Sequence, residues 1–73
     1  MNREKLDEIV EEAREAGLPG RAARIEKIIK NSGYWAPECA RMKAAADLGA
    51  LCMTERMSQA EGEALFNALV EGL

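Results

Sequence analysis

The chain has 73 residues, with 10 Lys and Arg against 13 Asp and Glu for a net charge of −3; it contains no histidine, only two cysteines, and 48% apolar residues. So short a chain forms one domain at most, and a core of this size seldom supplies more than roughly 3–5 kcal/mol of net stability without a staple. The missing histidine removes the commonest acid–base and metal-ligating side chain, and no apolar run of about 18 residues is present to span a membrane.

Asn2 is placed to cap a first helix over residues 2–16, with Leu6, Ile9, Val10, Ala13 and Ala16 repeating on one face and Glu4, Asp7, Glu8, Glu11, Glu12 and Glu15 covering the rest. Gly17 suits the left-handed position after a helix, Leu18 can fold back on Ala13, and Pro19 both forbids continuation and opens a second helix. That helix is expected over 19–32. Ala22, Ile25, Ile28, Ile29 and Ser32 face inward, and Arg21, Arg24, Lys27 and Lys30 outward. Gly33 is expected to end it as Gly17 ends the first.

Tyr34, Trp35 and Ala36 form a short connector, and Pro37 with Glu38 makes a good first turn for a third helix over 37–55. Small and apolar residues go nearly all round this helix: Met42, Ala46, Gly49 and Met53 on one side, Ala45, Leu48 and Cys52 on the next, Ala44 and Leu51 beyond. It needs neighbours on several sides, and its alanines and Gly49 allow another backbone to come close. Ser58 and Glu61 form a capping box that opens a fourth helix over 59–71, whose apolar stripe is Gly62, Leu65, Phe66, Leu69, Val70 and Leu73. The expected fold is all-α: a single domain, residues 1–73, made of two helical hairpins packed as a compact four-helix bundle.

Chemistry has few footholds. The carboxylates sit on outward faces where water keeps them ordinary, Ser32, Thr54 and Ser58 have no histidine to activate them, and no metal-binding pattern or cofactor motif is present. Cys39 and Cys52 lie thirteen residues apart in what reads as one helix. At 1.5 Å per residue that is about 20 Å, beyond the roughly 7 Å a disulfide allows. Both are expected as free, buried thiols, which with the lack of a signal peptide suggests the cytoplasm. The chain is expected not to be an enzyme.

Charge is uneven along the chain. Residues 1–16 carry six acids and three bases, residues 21–43 six bases and two acids, and residues 44–73 five acids and one base. Acidic flanks of the first helix can therefore lie against the basic second helix. Arg21, Arg24, Lys27 and Lys30 could also meet nucleic-acid phosphates. The stretch 13–28 resembles a helix-turn-helix unit, with Ala13, Gly17, Leu18 and Ala23 at positions that such units keep small or apolar. Glu12 and Glu26 depart from that pattern, and the acidic first helix would face a polyanion. A Gly-Leu-Pro stop between antiparallel helices accounts for the same residues.

Tyr34 and Trp35 are the only tyrosine and tryptophan, flanked by Lys30 and Arg41. They serve either as lids on the end of the bundle or as anchors for a partner. Met42, Met53 and Met57 serve either as core filler or as an adaptable surface, with filler the default. The sequence thus points to a protein-interaction module of adaptor or inhibitor type. Such a module would self-associate as a twofold dimer through Met42, Ala46, Gly49 and Met53 and bind a protein partner near Tyr34, Trp35, Arg41 and Lys30. The alternative is a nucleic-acid-binding regulator acting through the second helix.

Overall fold

Helix α1 spans Arg3–Glu15, α2 Pro19–Ser32, α3 Ala40–Glu55 and α4 Gln59–Val70, with a 3-10 turn at Pro37–Cys39, in the computed structural model, which describes residues 1–73. The Asn2 side chain accepts a hydrogen bond from the Lys5 N–H at 3.0 Å and so starts α1. Leu6, Val10 and Ala13 are buried along it, whereas Ala16, expected on the same face, is exposed. Gly17 adopts φ +77°, and the Leu18 N–H donates to the Ala13 carbonyl at 2.9 Å. The left-handed residue turns the chain back so that this orphan carbonyl is satisfied.

Helix α2 opens on Pro19 and buries Ala22, Ile25 and Ile29. Its end differs from the expectation: Gly33 has φ −64° and ψ −17°, an ordinary right-handed conformation. The N–H groups of Tyr34 and Trp35 continue the turn by donating to the Asn31 and Ser32 carbonyls at 3.0 and 3.2 Å. Ala36 is then extended, as a residue before proline must be.

The expected third helix is two pieces. Pro37, Glu38 and Cys39 form the 3-10 turn, with the Cys39 N–H donating to the Ala36 carbonyl at 2.9 Å, and the α-helix begins at Ala40. Cys39 and Cys52 therefore do not share one helix; both are free and half-buried, not fully enclosed. Helix α3 buries one face only, through Ala40, Ala44, Leu48 and Leu51. It stops at Arg56, which takes a left-handed conformation at φ 53° while the Met57 N–H donates to the Cys52 carbonyl at 3.0 Å.

Ser58 opens α4 with both halves of the capping box: its hydroxyl accepts from the Glu61 N–H at 3.2 Å and the Glu61 carboxylate accepts from the Ser58 N–H at 3.3 Å. Gly62, Leu65, Ala68, Leu69 and Val70 are buried, Phe66 is half-buried, and Leu73 is exposed. Pairing is strongest between α1 and α2 and between α3 and α4, and the contacts α1 to α4 and α2 to α3 close the ring. This is a four-helix bundle of two hairpins. Leu6, Val10, Ile25, Ile29, Leu48, Leu51, Leu65 and Leu69 meet in one core, and the Asn2 N–H donates to the Ala68 carbonyl at 2.8 Å, tying the start of α1 to α4. No helix is long and apolar enough to cross a membrane.

Candidate functional site

Because Ala44, Leu48 and Leu51 turn one side of α3 into the core, helical geometry sends the residues half a turn away to the outside. Met42, Ala46, Gly49 and Met53 are all exposed there, Met42 by 73% and Met53 by 84%. Both methionines are surface residues, contrary to the expectation of core filler; Met57 is half-buried against the core. Nothing approaches within 4 Å of the place a Cβ would occupy on Gly49. Ala45 and Ala50 are exposed beside this stripe.

The apolar surface continues toward α4. A groove of about 370 Å³ lies between the two helices, lined by Ala45, Leu48, Gly49, Cys52, Gly62 and Phe66, with Gln59 and Glu63 at its edge. It exists because Gly62 lets the helices come together: a Cβ there would stand 2.7 Å from the Cys52 sulfur. Sequence periodicity places Phe66 on the α4 stripe but gives no sign that it stays half-open beside α3. A second groove, about 310 Å³, runs between α1, α2 and α4, with Ile9, Leu18, Met57 and Ala64 in its walls and Glu8 and Glu12 among its lining residues.

The aromatic pair divides. Tyr34 is 83% exposed and covers nothing, while Trp35 is half-buried. Lys30 and Arg41, expected beside them, line different grooves. Lys30 is exposed and lies with Arg3, Asp7 and Lys27 between α1 and α2, and Arg41, also exposed, lies with Asn2, Lys5 and Asn67 toward the end of α4.

The basic residues of α2 divide as well. Arg21 keeps only 16% of its side chain exposed; it donates from one terminal nitrogen to the Glu61 carboxylate at 2.9 Å and from the other to the Glu55 carbonyl oxygen at 2.8 Å. Its Nε is buried without a hydrogen-bond partner, 4.0 Å from the Glu55 carboxylate. Arg24 Nε lies 3.1 Å from the other Glu55 oxygen. Two of the four candidate phosphate contacts are thus engaged within the bundle, and the exposed side chains of Lys27 and Lys30 form no ion pair. In the helix-turn-helix outline, Ala13 is buried but Ala23 is exposed, and Glu26 bonds Arg14 of α1.

The Glu61 carboxyl is held below the usual glutamate value by the Ser58 N–H first and the Ser58 hydroxyl second, with the Arg21 guanidinium adding to them against the opposing effect of burial. Its role is to fix the start of α4. No three Cys, Asp or Glu side chains gather closely enough to hold a metal ion. Compared with known proteins, the chain matches no protein-family model, no curated protein and no solved structure.

Proposed function

We propose that this chain is a non-enzymatic protein-interaction module of adaptor or inhibitor type that self-associates through the outer face of α3. The observation that carries the reading is the exposure of Met42 and Met53 at either end of Ala46 and Gly49. Bare methionine on a helix is unfavourable apolar surface in water, and flexible thioethers beside small residues make an adaptable contact. Surface area supports it: a folded 8.0 kDa chain exposes about 4,450 Å² by the usual mass relation, and this one exposes 4824 Å². The two half-buried thiols, neither in a disulfide, favour a reducing compartment such as the cytoplasm.

The test is light scattering coupled to size exclusion across a concentration series. The wild type should rise above the protomer mass, and Met42→Glu with Met53→Glu should hold it at the protomer mass while circular dichroism stays helical. A wild type that remains a protomer at high micromolar concentration overturns the reading. For the partner site, Trp35→Ala should weaken capture of a bound protein by more than about 1–2 kcal/mol.

One observation favours nucleic-acid binding as a second reading: Lys27 and Lys30, along the groove between α1 and α2, are exposed and form no ion pair. Duplex DNA should then be shifted at low salt and released by Lys27→Ala with Lys30→Ala. No shift at low salt removes this reading.

A further inference from the structure

The exposed side of α3 reads the same from either end. Measured from the midpoint between Asp47 and Leu48, Ala46 and Gly49 are equidistant, as are Ala45 and Ala50 and, furthest out, Met42 and Met53. All six are exposed, while the inward-facing residues of the same helix are alanine and leucine in the core. A surface with this order, large at both ends and small in the middle, is complementary to itself when reversed.

We propose that a second copy of this chain occupies the face, its α3 antiparallel to the first, about a twofold axis that passes the Asp47–Leu48 midpoint. This rests on the self-association reading above and adds its geometry. Ala46 lies against Gly49 of the other copy, which lets the axes approach to about 8 Å, and Met42 of each copy folds over Met53 of the other.

Charge selects the antiparallel arrangement. Arg41 lines a groove on the α4 side of α3 near its start, and Glu63 lines the α3–α4 groove on that same side further along; neither forms an ion pair within the protomer. A twofold axis perpendicular to the helices keeps each on its side and reverses it end for end, so Arg41 of each copy approaches Glu63 of the other. A parallel pair would instead set Arg41 of each copy on the same side and at the same level as Lys43 of the other, like charge facing like charge, and align the two helix dipoles.

Area sets the strength. The 16 residues of α3 make a rod about 24 Å long, half of whose circumference offers about 400 Å² per copy. The total of about 800 Å² lies below the roughly 1,000 Å² of a stable specific interface, so the dimer is weak and concentration-dependent, not permanent.

Disulfide trapping reads the register. In a Cys39→Ala, Cys52→Ala background checked for helicity, Met42→Cys and Met53→Cys proteins are oxidised singly and mixed. The antiparallel register brings positions 42 and 53 of opposite copies within the roughly 7 Å that a disulfide needs, and leaves each about 16 Å along the axis from its own duplicate. Only the mixture should cross-link. In the wild-type background, Arg41→Glu and Glu63→Arg should each weaken dimerisation by about three- to thirty-fold, and the double variant should restore it. A dimer in which Met42→Cys cross-links alone, or in which neither mixture nor single protein cross-links, overturns the register and leaves self-association standing. A protomer mass at every concentration overturns both.

Discussion

Gly62 of α4 rests against Cys52 of α3 so closely that a Cβ on the glycine would lie 2.7 Å from the cysteine sulfur. The sulfur ends a short, half-buried side chain on the opposing helix, with few helical rotamers open to it. Gly62→Ala therefore displaces the sulfur or parts the α3–α4 hairpin. We expect a loss of about 1–2 kcal/mol in urea unfolding, although glycine to alanine ordinarily favours a helix. Combining it with Cys52→Ala should recover more than about 1 kcal/mol relative to the sum of the two single changes, because they share one contact.

Gly49 gives the opposite result. It lies inside α3 with a right-handed backbone and nothing within 4 Å of where a methyl group would stand, so only helix propensity is at stake. Gly49→Ala should raise protomer stability by about 0.8–1 kcal/mol, measured by urea unfolding at low protein concentration. A destabilised variant would mean that the space above Gly49 is filled in the protomer itself.

Arg21 joins three helices, through Glu61 at the start of α4 and the carbonyl of Glu55 at the end of α3. Unlike the exposed pair of Arg3 and Asp7, it is largely withdrawn from water, so its bonds are less screened. Arg21→Met keeps the apolar stem and should cost about 1–2 kcal/mol. Arg24→Ala, which removes a partly exposed partner of Glu55, should cost under about 1 kcal/mol. Equal effects in chemical unfolding would show that the Arg21 bonds carry no special weight.

The Glu61 carboxyl is held below its ordinary value of 4.5 in the folded protein, first by the Ser58 N–H, so the folded state binds this proton less readily than the unfolded chain. Its contribution to stability is fully present above that ordinary value and is lost as pH falls through the lower folded value. The stability gap between wild type and Glu61→Gln should thus be widest near neutrality and shrink in acid. Urea unfolding across the acid range checks it, and a gap that stays constant with pH would assign the effect to packing.

The helix boundaries are legible in the sequence where their chemistry is local. Gly17 with Leu18 and Pro19, and Ser58 with Glu61, each complete a stop or start within a few residues, and the structure has both. Gly33 is not legible in the same way, because glycine permits a left-handed turn without requiring one, and the hydrogen bonds of Tyr34 and Trp35 carry the chain on in a right-handed path. The α3 face is legible as a stripe, but alanine suits core and surface alike, so only packing decides that Ala44 is buried and Ala46 exposed. The Arg21 network spans 34 and 40 residues of chain and leaves no pattern in sequence periodicity.

Arg56 ends α3 in a left-handed conformation at φ 53°, where a side chain crowds its own carbonyl. Sequence rules reserve that position for glycine, and neither of the glycines after α1 and α2 predicts it. The Arg56 guanidinium forms no ion pair that would offset the strain. Its backbone already supports the turn, since the Met57 N–H reaches the Cys52 carbonyl at 3.0 Å, and glycine would keep that bond. Glycine also loses more chain entropy on folding, which cancels part of the relief. Arg56→Gly should therefore stabilise the protomer by a net of about 0.5–1 kcal/mol, visible as a higher urea midpoint with an unchanged slope. A lower midpoint would mean that the arginine side chain contributes more to the fold than its backbone costs.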